Sequence, residues 1–425
     1  MSTLALLGIV IAALLLLRVP VAFAFLGPSL AYMAIEGQST GAALRIVTNA
    51  AASFPLLAVP LFIFLGALAN HTGIAEQLFR FALAALAKVR GSLGYVAVGV
   101  SVGFSWMSGS AVADAAALGK VQIPAMINNG YGRRFATGLS SASALIAPVM
   151  PPSIPAVIYA GLAAASTGAL FAASVIPALL MALGLCAVVF VLVRRNPKIR
   201  SGTFDKAELL ASIKGVILPL FAPVIILGGI LGGFFTPTEA AAVGVVYITL
   251  VGVVHRSLSF KNFLAALKDT VITTSGIMVI VASASLLGYI LAKERLPQML
   301  TEFIFSVTSS PTMFMGLVAL LMIVLGTVID ATAILVLVVP ILLPIAVNYG
   351  VDPIVLGVLM IVSLMIGLLT PPVGTVLFVT AFVSKTRVGE VFKGSLPFLI
   401  PSVVVTVLVV LFPDALLWLP GAVGL

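Results

Sequence analysis

Apolar stretches of roughly 15 to 30 residues follow one another along almost the whole chain, and about 20 such residues cross the hydrocarbon core of a bilayer. Backbone inside lipid must satisfy its own hydrogen bonds, so stretches of this length fold as helices. A porin-like barrel would read instead as short alternating segments. Charge is too scarce for a soluble surface. DEKR residues make up 8% of the 425 and AVILMFWYC residues 62%, whereas soluble domains carry about a quarter charged residues. The chain is therefore read as an all-α polytopic membrane protein, although its length in a soluble protein would suggest two or three domains.

On that ruler, full spans fall near residues 4–17, 19–35, 54–69, 133–161, 168–193, 215–235, 237–254, 269–292, 353–383 and 395–412. The first two are short and meet at Arg18-Val19-Pro20. The first has no basic n-region and no A-x-A site, so it is expected to be a retained span. Two more stretches, 92–129 and 311–349, are too long for one span. Their middles are interrupted by Ser105-Trp106-Met107-Ser108-Gly109-Ser110 and by Gly326-Thr327-Val328-Ile329-Asp330-Ala331-Thr332. A turn in water would bring more charge than these carry. Each is predicted to be a re-entrant hairpin whose tip lines a cavity or is covered by protein. In 74–90, Ile74, Leu78, Phe81, Leu83 and Leu86 alternate with Glu76, Arg80, Lys88 and Arg90 at roughly helical spacing. That pattern predicts a helix along the membrane surface leading into hairpin one. Residues 298–306 lead into hairpin two in the same way.

The net charge of +9 sits in short loops, which reads as topogenic charge facing the cytoplasm rather than a nucleic-acid surface. The linker 194–214 holds Arg194, Arg195, Lys198, Arg200, Lys206 and Lys214. Two spans later, His255-Arg256, Lys261 and Lys268 fall on the same side. Loops 161–167 and 233–237 lie opposite and hold no Lys or Arg. Arg80, Lys88, Arg90, Arg133-Arg134, Lys385, Arg387 and Lys393 come out inside. Lys293 and Arg295 are exceptions, outside beside Glu294. With hairpin 92–129 opening inward and 311–349 outward, both termini are expected outside. The single cysteine, Cys186, can form no internal disulfide, and His71 and His255 sit beside span ends without a Cys/His cluster.

The chain repeats itself at an offset of 220 residues (344 − 124). Pro124 maps to Pro344, Asn128 to Asn348, Gly130 to Gly350, Ser143 to Ser363 and Pro151-Pro152 to Pro371-Pro372. The topology runs the second copy the opposite way through the membrane. An inverted repeat with one hairpin and one proline-interrupted span per half typifies secondary transporters, with substrate and coupling ions near the midplane.

Proline in a helix removes the N–H that would bond the carbonyl four residues back. Pro151 and Pro152 are expected to free the carbonyls of Ala147 and Pro148, and Pro371 and Pro372 those of Gly367 and Leu368. Hard cations such as Na+ take oxygen ligands, and unwound carbonyls of broken helices supply them. Double prolines also occur as kinks satisfied by neighbouring helices. Two at symmetric positions, each downstream of a polar tip, favour the ion site. At the tips Ser105, Ser108 and Ser110 offer hydroxyls and Gly109 permits close backbone approach. Thr327, Asp330 and Thr332 do the same in the second repeat, and helix ends there point dipoles at the cavity. Taken singly, any one of these serines reads better as a small packing residue.

Asp114 and Asp330 are sharper signals, because an ionisable residue inside an apolar segment is costly and faces a cavity or a partner. Asp330 can ligate a cation or orient its tip. Asp114 lies four residues after Ser110 on the same helical face. It can bond a substrate hydroxyl, carry a proton, or pair with Lys120. Glu239, after Thr236-Pro237-Thr238, reads as a first-turn cap. H-E-x-x-H, G-x-S-x-G and P-loop motifs are absent, which argues against an enzyme. Asp114 and Asp330 also lack the surroundings of an intramembrane aspartyl protease. A passive channel is a nearer rival, but it does not need inverted repeats or hydroxyl-rich tips.

The stretch Gly109-Ser110-Ala111-Val112-Ala113-Asp114-Ala115-Ala116-Ala117-Leu118-Gly119, with Pro151-Pro152-Ser153 and Thr370-Pro371-Pro372-Val373-Gly374, resembles a known family. It is similar to the large membrane subunit (M subunit) of tripartite ATP-independent periplasmic (TRAP) transporters, and the hydropathy profile agrees over essentially the whole chain. The resemblance implies the elevator fold of the ion transporter superfamily. Scaffold helices would occupy 1–70, an arm helix 71–91, and a transport-domain hairpin and broken helix 92–161. Scaffold helices would follow at 162–294, a second arm at 295–310, the second hairpin and broken helix at 311–383, and a C-terminal scaffold helix at 384–425.

The resemblance also implies Na+-driven uptake of an organic acid across the bacterial inner membrane, with two or more Na+ ions. Sialic acid (N-acetylneuraminate) is preferred slightly over a C4-dicarboxylate. A periplasmic binding protein (P-type) would deliver the substrate. A small four-helix membrane subunit (Q-type) is expected as a separate chain, since nothing before residue 1 resembles it. Carried over residue by residue, one Na+ site joins Ser105 and Ser108 to the carbonyls of Ala147, Met150 and Pro152. The second joins Gly326, Asp330 and Thr332 to Gly367, Thr370 and Val373. Substrate polar groups meet Ser110, Asp114 and Ser153, and helix N-termini stand in for an arginine at the carboxylate. The rival within transporters is a stand-alone ion-coupled anion permease of the same superfamily.

Overall fold

A computed structural model describes residues 3–17, 19–52, 54–194, 199 and 204–425. Arg195, Lys198 and Arg200, three of the expected topogenic cations, lie outside the described residues, as does Arg18 at the junction of the first two spans. Among those described there are twenty α-helices, one 3-10 turn and no strand.

The chain opens with α1 (Thr3–Leu16) and α2 (Val21–Ile35), the expected short pair. Next comes α3 (Thr40–Ala51), which a span-length reading passes over because it is amphipathic: Ala43 alone among its residues is buried, and Ser39 caps it by accepting from Gly41 N at 3.2 Å. A 3-10 turn, Phe54–Leu57, leads into α4 (Ala58–His71). Left-handed Gly73 (φ 70°) then allows α5 (Ile74–Leu86) to bend 63° away from α4. Hairpin one is α6 (Ser92–Ser108) and α7 (Ala111–Asn128), and the first broken span is α8 (Arg133–Ala144) and α9 (Ile154–Ala163).

Long helices α10 (Thr167–Arg194), α11 (Lys206–Leu231), α12 (Pro237–Val254) and α13 (Phe260–Lys293) follow. The second arm, α14 (Leu296–Val307), turns by 116° into hairpin two, α15 (Pro311–Gly326) and α16 (Ala331–Asn348). The second broken span is α17 (Pro353–Leu368) and α18 (Thr375–Ser384), and α19 (Val388–Leu411) and α20 (Asp414–Ala422) close the chain. Six helices, α10 to α13, α16 and α19, are individually long and apolar enough to cross a membrane. The other expected spans are built from shorter helices and broken pairs.

Several boundaries differ from the sequence reading for local reasons. The second part of the 194–214 linker is helical because Asp205 caps α11, accepting from Ala207 N at 2.8 Å. Ser259 caps α13, which starts at Phe260, nine residues before the expected start of that span. Helix α6 continues through Ser108, so the polar run from Ser105 is mostly helix, and only Gly109 and Ser110 form tip one. Glu239 does close a capping box with Thr236.

The repeat covers more of the chain than its prolines indicated. At the same offset α7 superposes in register on α16 end to end, α8 and α17 start together, and α2 corresponds to α12. The partnerships are mirrored too: α2 packs on α13 while α12 packs on α4. Between apolar helices in lipid, close packing replaces a hydrophobic drive, and small residues permit it. The α8–α19 crossing shows this, since a Cβ on Gly138 would sit 2.1 Å from the Gly394 carbonyl. Ion pairs join segments assigned to one side of the membrane: Arg80 holds Glu208 (Nε–Oε1 2.5 Å), and Arg134 holds Glu390 (Nε–Oε2 2.5 Å).

Candidate functional site

Hairpin one ends against the first helix break. Gly109 adopts φ 58°, and a Cβ there would meet the Pro152 carbonyl at 2.8 Å, so only glycine lets tip and break touch. Ser110 caps α7, its hydroxyl accepting from Ala113 N at 3.4 Å. Asp114, one turn in, is fully buried and accepts a hydrogen bond from the Ser108 hydroxyl, which reaches back across the tip. Its second oxygen, Oδ2, has no partner among the described residues. Lys120 is exposed and makes no ion pair with Asp114. Ser105 is buried and donates to the Val102 carbonyl at 2.7 Å, an intrahelical bond.

At the break the peptide between Pro151 and Pro152 is cis. The Ser153 hydroxyl donates to Pro148 O and accepts from Ala156 N (3.2 Å), capping α9. Of the two carbonyls expected to be freed, that of Pro148 is thus satisfied. The carbonyls of Ala147, Met150 and Pro152 meet no donor among the described residues, although all three residues are buried.

The second half repeats the frame with other contacts. Asp330, at the position matching Ser110, is the N-cap of α16 and accepts from Thr332 N at 2.9 Å. It is exposed rather than buried. Tip two is tied to its break by backbone: Thr327 O accepts from Val373 N (2.9 Å) and Gly374 N (3.1 Å). Gly326 and Gly367 pack face to face, and a Cβ on Gly367 would fall 2.5 Å from Ile323 O. Gly367 O is not free as the proline rule suggests, because Thr370 N reaches it at 2.9 Å, while the Thr370 hydroxyl bonds Ile366 O at 2.7 Å. Val373 therefore meets the tip through its N–H. The Leu368 carbonyl meets no donor among the described residues. The Pro371-Pro372 peptide is also cis.

Between the two tips lies a cavity of about 430 Å³. Ser108, Gly109, Ser110, Pro148, Asp330, Thr332 and Leu368 line one wall; Gly66 and Ala67 of α4 and Asp269, Thr273 and Ile277 of α13 line the other. The N-terminal turns of α7, α9 and α16 converge on it through Ala111, Ile154 and Ala331, and such turns attract anions. Among the described residues no Lys, Arg or His lines it. Of the expected substrate residues, Ser110 lines the cavity, Asp114 sits behind Ser108, and Ser153 is turned into the break. The α4/α13 wall escaped the sequence reading. Its available signal was Asp269, an acid at the start of an apolar stretch; its Oδ2 lies 3.2 Å from His71 Nε2.

Around the tips and breaks the acceptors left over are buried carbonyls, the Thr375 hydroxyl and one carboxylate oxygen of Asp114, and one donor, Trp106 Nε1, also has no partner among the described residues. Among the described residues no group of three His, Cys, Asp or Glu could hold a metal ion. Hard cations take such all-oxygen sets, and softer transition metals do not favour them.

Inverted repeats, hairpin tips meeting broken helices, and a cavity between them make up an all-helical, multi-spanning membrane protein. The description "Tripartite ATP-independent periplasmic transporter, DctM component" matches residues 8–415, and the chain belongs to that family. It is 40% identical over 410 residues, 96% of each chain, to the sialic acid TRAP transporter large permease protein SiaM of Vibrio cholerae. It is 36% identical over 373 residues (88% of this chain, 87% of the relative) to the C4-dicarboxylate TRAP transporter large permease protein DctM of Pseudomonas aeruginosa. The crystal structure of the Alcanivorax borkumensis YdaH transporter shares the fold, with a TM-score of 0.61, 16% identity and 87% of both chains covered. The relatives are transporter permeases, and the chain is a multi-pass membrane protein of that family.

Proposed function

We propose that the chain is the membrane engine of a Na+-coupled symporter that takes up an organic acid across the inner membrane. The observation carrying this reading is the cavity between the tips, where three helix N-termini meet beside unpaired oxygens. The carboxylate of the substrate docks on the N-terminal turns of α7, α9 and α16. One Na+ is held by Ser108 and the Ala147, Met150 and Pro152 carbonyls, near Ser105. Another sits between tip two and its break, near Gly326, Asp330, Thr332, Gly367, Thr370 and Val373. Asp114 supports site one from behind, through Ser108. Hairpins and broken helices move together as a transport domain against a scaffold that includes α4 and α13, in an elevator motion. Both termini face the periplasm, a small four-helix subunit binds the scaffold, and a periplasmic binding protein hands over substrate.

A sugar acid such as sialic acid is favoured over a dicarboxylate. Two carboxylates, Asp269 and Asp330, line the cavity. They accept bonds from hydroxyls and repel a second carboxylate. A relative named for sialic acid points the same way.

The test is uptake of labelled sialic acid into liposomes holding this chain and its small subunit, under an inward Na+ gradient, with and without the binding protein. Uptake that requires both Na+ and binding protein is expected. Uptake with Na+ alone would make it a stand-alone permease. Uptake of a dicarboxylate instead would overturn the substrate reading.

A further inference from the structure

Beside the middle of α7 and at the end of α18 away from the tips, a second cavity of about 660 Å³ is lined by Lys120, Phe382, Lys385, Thr386 and Arg387 among others. It holds three cations and no acid. The neighbouring basic residues are already engaged. Arg134 holds Glu390 at 2.5 Å, and Lys393 shares that carboxylate at 4.0 Å. Arg133 donates to the Ser384 carbonyl (3.1 Å) and to the Thr386 hydroxyl (3.4 Å), which pins the loop between α18 and α19. Lys120, Lys385 and Arg387 make no ion pair among the described residues.

An apolar stripe leads into this cavity. Phe378 and Phe382 stand four residues apart on one face of α18, 48% and 86% exposed. In the other repeat the matching positions are Pro340 for Lys120 and Ala165-Ser166-Thr167 for Lys385-Thr386-Arg387, so the cation cluster exists at one end only. An exposed aromatic stripe ending in three cations with no direct ion pair among the described residues, Arg387 alone lying near a carboxylate (Glu390), complements an amphiphile with an anionic head.

We propose that this cavity binds the headgroup of an anionic phospholipid, with its phosphate on Lys120, Lys385 and Arg387 and an acyl chain along Phe378 and Phe382. The inference rests on the topology in the proposed function, which puts this end of α18 at the cytoplasmic face, where anionic lipids concentrate. The lipid then tethers one end of the moving domain, and membrane composition biases its position.

The experiment extracts the complex from phosphatidylcholine vesicles with and without phosphatidylglycerol and counts retained lipid by native mass spectrometry. Wild type is expected to retain phosphatidylglycerol. Lys385→Ala, Arg387→Ala and Lys120→Gln should each weaken retention roughly fivefold, while the double exchange Lys385→Arg with Arg387→Lys restores it. Melting in phosphatidylcholine alone identifies any alanine variant that is misfolded, and Lys120→Gln, at an exposed position of α7, then carries the test. Equal retention in every folded variant overturns the proposal. So does displacement of the lipid by inorganic phosphate, or capture of the small subunit by a cross-linker on Lys385→Cys. Na+-driven uptake in phosphatidylcholine alone is measured on the same samples. Its failure counts against the transport reading and leaves the lipid count independent.

Discussion

The two repeats share a backbone frame and differ in what fills it. In both, a cap residue at the same register starts the inner hairpin helix, Ser110 in one and Asp330 in the other, and a proline pair follows at the break. In repeat one the tip carries buried polar chemistry: Asp114 takes the Ser108 hydroxyl, and glycine at the tip lets Pro152 O approach. The matching positions in repeat two are Ile334 for Asp114, Val328 for Ser108 and Val373 for Ser153. There the tip is held by backbone, through Thr327 O, and its carboxylate faces the cavity. The arms diverge in the same way. Arm α5 is held to α11 by the exposed pair Arg80–Glu208, whereas arm α14 is held by a stack in which Phe305 and Phe314 lie 4.3 and 4.6 Å from Tyr349. A duplicated scaffold thus fixes where helices break, while individual side chains decide what each break does.

The comparison is sharpest at Asp114. Asp114→Asn should cut the initial rate of Na+-driven uptake roughly tenfold, on the order of what upsetting a buried polar contact costs (about 1–3 kcal/mol), with insertion and yield unchanged. A wild-type rate would make the two repeats equivalent in function. Gly367→Ala comes next, because its new Cβ meets the backbone of Ile323 and Gly326 on α15. A destabilisation of about 1–3 kcal/mol is expected, the usual range for overpacking. It would appear as a lower melting temperature, whereas Gly99→Ala, with nothing within 4 Å of its Cβ, should melt like wild type.

Asp330→Asn keeps a good cap, so stability should change by only a few tenths of a kcal/mol. The concentration of Na+ giving half-maximal uptake should rise severalfold, and an unchanged value would leave Asp330 a cap and nothing more. At the arms, Phe305→Leu should lower stability by about 0.5–1.5 kcal/mol. Arg80→Gln, in an exposed pair, should leave the melting temperature where it is. The reverse order would show that the polar arm is the stiffer one.

Much of this was legible in residue order. Apolar length marks the spans, and the double prolines mark both breaks, because proline acts on its own helix. Ser110 and Asp330 were legible as tip residues for the same reason, since a cap acts within its own turn. Helices α3 and α20 were not, being too short or too amphipathic for a ruler of span length. The proline rule named the right carbonyls but not their fate. Pro148 O is taken by Ser153 and Gly367 O by Thr370, while Ala147 O and Leu368 O meet no donor among the described residues.

By itself, the order of residues determined that this chain is helical, spans a membrane and repeats itself in inverted form, because lipid forbids unpaired backbone and a proline register is a local signal. Tertiary structure alone decided that Asp114 turns to Ser108 and not to Lys120, that Asp269 and Gly66 wall the cavity, and that Gly326 meets Gly367. Those choices depend on which distant helices come to lie side by side, and that depends on close packing across the whole bundle.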